Sequence, residues 1–337
     1  MATPSKLLQI LDMHLVRELI DLRKPVAMKG LEWFDGARVR RDNQYDIEYD
    51  FQTGYVRSAP ISNPTAASVP VALQDMSKYG VTPASIRIHH AIYDQNKIQL
   101  RRPGSQERWG NGLNEYVSKI LGDQILTTKE MLLWMALEGK ITYSSDITKM
   151  YFEIDYAIPA THNVTLLTTA KWDAPTTADP LGNINTWLQI FEEDAGFLPN
   201  TICMTRTTLN YLLQIDKFND VFNGKNVLPM DAINAYLNST SGGETTLKIY
   251  KGKYDDETGS TTEMLADGEV RMFHTENSIS YEEVAAAENE LSPDNYGAGP
   301  WTQLDQLTDP KGVKVIAGEN MLPVVLDPNR IFRAKVY

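Results

Sequence analysis

Apolar residues recur at three-to-four spacing near the start of the chain, at Leu7, Leu8, Leu11, Leu15, Val16 and Leu19. That rhythm predicts an amphipathic helix over 5–22, with Ser5 as cap and Pro25 past its end. One such helix cannot bury its stripe unaided. It must dock on the body of the protein or on another molecule.

Residues 30–77 follow a different rule. They carry Trp33, Phe34, Tyr45, Tyr49, Phe51 and Tyr55, and they alternate apolar with polar from Tyr45 to Phe51. Period two predicts a strand, and Asp35-Gly36 or Asn43-Gln44 would turn a hairpin. The stretch Ser58-Ala59-Pro60-Ile61-Ser62-Asn63-Pro64 predicts extended loop. An excursion this long and aromatic is unusual inside a compact enzyme, and long loops tend to be functional.

Alternation over 81–93 predicts another strand. The strongest helical signal spans 112–138, where Leu113, Tyr116, Val117, Ile120, Leu121 and Ile125 mark one face and Gly139 the stop. Gly122 and Thr127-Thr128 are its expected weak points. Strands are expected at 140–143 and 151–156. A linker at 174–178 precedes a helix capped by Asp179, with Pro180 in its first turn. Its apolar face is Leu181, Ile184, Trp187, Leu188 and Phe191. A strand at 200–205, helices near 206–214 and 229–238 and a strand at 245–251 complete a second α/β unit over 174–310, with a hairpin turn at Thr258-Gly259-Ser260. Strands return over 311–337. No internal repeat is visible.

Composition narrows the function. The chain has 337 residues, 42% hydrophobic and 23% charged, an ordinary globular balance. Its net charge of −12 is uneven. Residues 1–110 hold 15 Lys/Arg and 12 Asp/Glu, whereas 255–310 hold 14 acidic residues and one arginine. Such acidity disfavours dedicated nucleic-acid binding but allows a wall facing packaged DNA. Cys203 is the single cysteine, so no intrachain disulfide or cysteine zinc cluster forms, and its apolar neighbours predict a buried thiol. No run of about 18 apolar residues occurs, and Asp12, Arg17 and Glu18 interrupt any signal-like core, so a soluble protein without a membrane partner is expected.

Motifs for chemistry are missing. Gly110-Asn111-Gly112 lacks the later glycine of a dinucleotide loop, and there is no nucleophile elbow or metalloprotease helix. His89 and His90 would point to opposite faces of a strand. Asp255-Asp256-Glu257 lacks the ligand spacing of a calcium loop and predicts a solvated hairpin tip. The Arg38-Val39-Arg40-Arg41 cluster fits a basic tip meeting acidic groups on a neighbouring subunit better than a nucleic-acid site. No catalytic residue, metal ligand or cofactor is expected.

Several stretches resemble the lambda-type major capsid proteins of tailed phages (the major capsid protein E family), built on the Hong Kong 97 fold. They are Leu137-Glu138-Gly139-Lys140-Ile141-Thr142-Tyr143, Trp172-Asp173-Ala174-Pro175 with Ala178-Asp179-Pro180-Leu181, and Met204-Thr205-Arg206-Thr207-Thr208-Leu209 with Leu212-Leu213. Ile249-Tyr250-Lys251-Gly252-Lys253-Tyr254, Pro323 to Leu326 and Asp327-Pro328 extend the likeness. No single stretch is diagnostic; their order and spacing carry the resemblance.

The resemblance implies an α+β fold with an N-terminal arm over 1–29 and an E-loop hairpin over 30–77. A peripheral domain would span 78–173 with a spine helix at 112–138, an inserted axial domain 174–310, and closing peripheral strands 311–337. It implies a non-enzymatic shell subunit that assembles with itself as hexamers and pentamers around double-stranded DNA. Scaffolding protein and portal are the implied partners, with non-covalent contacts or a decoration protein to stabilise the shell and assembly in the bacterial host cytoplasm. Trp33, Phe34, Arg38, Arg40, Arg41 and Tyr49 are the expected E-loop contacts, and Leu11, Leu15 and Leu19 the expected arm contacts. Some relatives crosslink through an E-loop lysine, but 30–77 contain none, so the joint here is expected to be non-covalent. An encapsulin-like compartment shell and a two-domain α/β hydrolase are the rival readings.

Overall fold

A computed structural model describes residues 11–23, 28–34, 39–42, 47–52, 76–81, 83–93, 106–145, 150–216, 218, 230–243, 245–256, 258–276, 278–284 and 298–337. For 39–42, 47–52, 76–81 and 106–109 it describes backbone alone. The N-terminal part holds helices α1 (Met13–Asp21) and α2 (Lys29–Trp33) and strands β1 (Val39–Asp42), β2 (Ile47–Gln52) and β3 (Met76–Val81). Next come β4 (Ala84–Tyr93), α3 (Gln106–Glu138), β5 (Lys140–Ser145) and β6 (Met150–Asp155). The middle holds β7 (Asn163–Thr165), α4 (Pro180–Ala195), β8 (Thr201–Met204), α5 (Arg206–Gln214), α6 (Met230–Thr240) and β9 (Thr246–Ile249). The last strands are β10 (Lys253–Asp255), β11 (Thr261–Glu263), β12 (Glu269–Phe273), β13 (Ile279–Val284), β14 (Trp301–Thr308), β15 (Lys311–Val325) and β16 (Ile331–Lys335).

Helix α3 is one continuous helix of 33 residues, about 50 Å long, and begins six residues before its expected start. Leu113, Val117, Leu121 and Ile125 are buried, as are Leu132, Leu133, Trp134 and Leu137 a few turns on. The expected weak points have other uses. Thr127 and Thr128 bond back to the carbonyls of Asp123 and Gln124, within the helix. Gly122 makes room for α1, because a Cβ there would lie 2.9 Å from Arg23 Cδ. Gly139, at φ 93°, supplies the left-handed turn out of α3 into β5.

Two five-stranded sheets organise the rest. In the first, β1, β13, β15 and β14 lie in that order, and β4 also pairs with the long β15. In the second the order is β7, β16, β12, β8, β9. Helix α3 packs its apolar face on the first sheet. The second sheet packs Ile202, Met204, Val270, Met272 and Phe332 against Trp187, Phe191, Leu212 and Leu237 of α4 to α6. Its other face carries Cys203, Phe273 and Ile331 into the first core, so it is buried on both sides. Asp179 caps α4 as its sequence predicts, accepting from the Gly182 N–H at 3.1 Å, and Gly196 ends it at φ 80°.

Sheet pairing cuts across the boundaries expected from sequence. Strands β13 and β14 fall within 174–310 yet belong with β4 and β15, while β16 joins the second sheet. Strand β15 pairs with β4 over Gly312 to Met321, and the 3-10 turn at Pro328–Arg330 then leads the chain into β16. The expected arm helix also differs. It is capped by Asp12, whose carboxylate accepts from the His14 and Leu15 N–H groups; Ser5 lies outside the described residues. Among the described residues strand 39–42 pairs in parallel with β13 and not with β2. The turns proposed at 35–36 and 43–44 lie outside the described residues.

Candidate functional site: the root of the N-terminal excursion

Glu130 sits on the buried stripe of α3 with no exposed surface. A buried carboxyl group in that position needs hydrogen-bond partners, and four donors are supplied. Oε1 accepts from the Gly30 N–H at 2.8 Å, the Trp134 indole at 2.9 Å and the Tyr250 hydroxyl at 2.7 Å. Oε2 accepts from the Leu31 N–H at 2.7 Å. The two main-chain donors belong to the first turn of α2, where helix N–H groups have no intrahelical partner. Glycine at position 30 leaves the carboxylate its place, because a Cβ there would lie 2.6 Å from Oε1 and push it aside. Burial, together with the nearby Glu130 charge, raises the Tyr250 phenol far above its ordinary value, so it stays a donor.

The aromatic residues that follow complete the anchor. Trp33 meets Trp134 and Tyr250 edge-on, with centroids at 6.5 and 5.9 Å, and Lys248 Nζ lies 5.0 Å above its ring. Partial burial lowers the Lys248 pKa. Phe34 stacks on Phe273 of β12 at 5.2 Å and is 1% exposed. Trp33 and Phe34, expected as contacts to a neighbour, therefore face their own subunit. They root the excursion in the joint between α3 and the second sheet.

Helix α1 lies alongside α3. Leu11, Val16 and Ile20 are buried in the first core, whereas Leu15 and Leu19 are half-exposed. Arg23 Nε lies 2.6 Å from Asp123, the Asp12 N–H reaches Asn114, and Thr302 Oγ1 donates to the Met13 carbonyl. The expected trio is thus split: Leu11 docks on the body, and Val16 and Ile20 replace Leu15 and Leu19 there.

The remaining expected contacts lie further along. Arg38 is outside the described residues. Arg40 and Arg41 are register partners of Glu282 and Glu283, and Tyr49 pairs with Tyr79 across β2 and β3. On α3, Lys129 Nζ lies 2.5 Å from Glu319 and 3.8 Å from Glu283. Burial works against the Lys129 charge, but the two glutamates outweigh it and raise its pKa. Burial pushes the Glu319 carboxyl up to about 7, with Lys129 opposing the rise.

Sequence reading missed the Glu130 clamp. Its signal was an acidic residue on an apolar helical stripe, three, four and seven positions before Leu133, Trp134 and Leu137. His162 is fully buried, with Nδ1 3.0 Å from the Ile331 carbonyl and Nε2 2.9 Å from Asp194. Among the described residues no group of His, Cys, Asp and Glu is arranged to hold a metal, and no helix is long and apolar enough to cross a membrane.

A long helix lying on a mixed sheet, a second sheet covered by helices, and a rooted excursion define a capsid-type fold. The chain is similar to a protein described as a prophage capsid protein of E. coli CFT073, with a TM-score of 0.65 and 16% identity over 100% of both chains. It is also similar to a phage-related protein of Bordetella bronchiseptica RB50, with a TM-score of 0.58 and 12% identity over 96% of this chain and 97% of the other. No curated protein matches the chain in sequence. The family described as phage major capsid protein E matches residues 42–336, and the chain belongs to that family. It is a major capsid protein, a subunit of the virion shell.

Proposed function

We propose that the subunit closes its shell, as hexamers and pentamers, through non-covalent contacts made by the N-terminal helix and by the excursion beyond Phe34. Within the Hong Kong 97-type plan, α3 is the spine helix, the segment from β2 to β3 is the E-loop, and the second sheet with α4 to α6 is the axial domain. The observation that carries this reading is the unequal support of the excursion. Its root is clamped by Glu130 and caged by aromatics, whereas β2 and β3 pair with each other alone among the described strands. A two-stranded hairpin is marginal by itself, and an adjacent copy would supply the missing surface. Many modest contacts of this kind, repeated around a shell, give a stable assembly.

The role is structural and not catalytic. Packaged double-stranded DNA would face the inner wall without sequence-specific recognition, and scaffolding protein and portal would be the other partners, with a decoration protein the alternative source of shell stability. Assembly would take place in the bacterial host cytoplasm. The family match favours this phage shell over a compartment shell. Register provides a clean test, because Gln52 pairs with Met76. Replacing 53–75 with Asn-Gly closes the hairpin there. The shortened subunit should fold, by circular dichroism, and form no shells in negative-stain micrographs. Intact shells from it would refute the reading.

A further inference from the structure

Tyr250 carries one phenolic proton and faces two acceptors. Its oxygen lies 2.7 Å from Glu130 Oε1 and 3.0 Å from Met264 Sδ. A thioether sulfur is a weak acceptor, so the carboxyl group holds the hydroxyl. The ring that bears this hydroxyl stacks on Trp134 at 4.3 Å and meets Trp33 edge-on at 5.9 Å. The donor and the aromatic cage of the root therefore move together.

Met264 is held in place beside that hydroxyl. It directly follows β11, and its N–H donates to the Gly252 carbonyl at 3.0 Å. Gly252 also leaves Tyr250 its path, because a Cβ there would lie 1.9 Å from the phenolic oxygen. Met264 is half-buried, unlike Met204 and Met272, which have no exposed surface. Its sulfur is thus within reach of a small oxidant while touching the donor of the clamp.

We propose that Met264 is an oxidative-modification site coupled to the clamp: a hydroperoxide converts it to the sulfoxide, whose oxygen draws the Tyr250 hydroxyl away from Glu130 and loosens the root of the excursion. In the step a sulfur lone pair attacks a peroxide oxygen, an S–O bond forms and the O–O bond breaks. The sulfur gives up two electrons to the peroxide, and the departing hydroxide takes the proton of the transferred oxygen and leaves as water. The product is polar where the thioether was not, and it sits on a flexible side chain. One hydroxyl proton does not serve both the sulfoxide and Glu130, so Oε1 keeps the Gly30 N–H and the Trp134 indole alone. The device operates within one subunit and does not depend on which shell contacts the excursion makes.

The amides of Gly30 and Leu31 report on the clamp directly, because both donate to Glu130. The dispersed full-length chain is treated with hydrogen peroxide, and mass spectrometry reads the sulfoxide content of each methionine and the hydrogen–deuterium exchange of 28–34. Met150, at 39% exposure, should oxidise first and leave 28–34 unchanged, with Met264 next and the buried Met204 and Met272 last. Exchange at 28–34 should quicken by about tenfold or more as Met264 converts, and methionine sulfoxide reductase should restore it. Met264→Leu, a swap that conserves volume, should keep 28–34 protected under peroxide even though Met28 remains in that segment. Unchanged exchange in chains oxidised at Met264, oxidation of Met264 no faster than that of Met204 and Met272, or the same loss of protection in Met264→Leu overturns the proposal. Were Met264→Leu to unfold, the native chain decides: loss of protection that follows the sulfoxide of Met28 or Met150, and not that of Met264, overturns it.

Discussion

The main-chain N–H of Gly30 donates to Glu130 Oε1 at 2.8 Å, across one hundred positions of sequence. The bond ties the start of the excursion to the C-terminal third of α3. It helps hold Trp33 and Phe34 against Trp134, Tyr250 and Phe273, while β2 and β3 pair with each other alone among the described strands.

Loss of this clamp should unfold the root. Gly30→Ala puts a Cβ where Oε1 sits, so the carboxylate must shift and abandon a donor. A cost of about 2 kcal/mol is expected in urea denaturation of the dispersed subunit. Glu130→Ala strands four donors and should cost more, above about 3 kcal/mol. A Gly30→Ala subunit as stable as the native one would show that the clamp is dispensable.

Local chemistry made much of the fold legible. Asp179-Pro180 marked the start of α4, and the face from Leu181 to Phe191 is the buried one. Thr258-Gly259-Ser260 marked the turn between β10 and β11, where Asp256 accepts from Thr258 and Ser260 and Gly259 adopts φ 82°. These signals reside within a few residues of one another. The missed features are long-range. Nothing near 39–42 announces a partner at 279–284, and four residues carry too little pattern to choose between a hairpin and a distant edge. Trp33 and Phe34 show the same limit, since an aromatic pair suits an interface and a core equally well. Only Trp134, Tyr250 and Phe273, brought from three other elements, settle the matter.

Stability of the subunit should carry a signature of Glu319. Its carboxyl has an ordinary value of 4.5 and about 7 in the fold. A raised carboxyl pKa means that the folded state holds the proton more tightly. This group's contribution is therefore most favourable below about 4.5, falls as pH rises to about 7, and is level above. The slope is at most about 1.4 kcal/mol per pH unit. Glu319→Gln mimics the protonated form and should lose that slope. Parallel urea midpoints for the two proteins from about pH 5 to about pH 8 would contradict the assignment.

The shell should come apart without breaking covalent bonds between subunits. Residues 30–77 contain no lysine, and the flanking Lys29 is paired with Glu32 at 2.6 Å. Purified shells heated in detergent should run as one band of 37.9 kDa. A ladder of multiples would reveal a crosslink formed elsewhere in the chain.

Helix α1 separates folding from assembly. Ile20 is buried against α3, so Ile20→Ala should cost about 2–5 kcal/mol in the dispersed subunit. Leu15 and Leu19 are half-exposed, one turn apart on the same side of the helix, with the 76% exposed Leu22 continuing their stripe. A stripe of leucines in water is a poor end state for a subunit built to meet copies of itself. Replacing Leu15 and Leu19 together with Gln should change subunit stability by less than about 1 kcal/mol. The same pair of changes should slow or abolish shell formation followed by light scattering. If the double variant assembles at the native rate, α1 serves its own subunit alone, and the contact between copies must rest on the excursion.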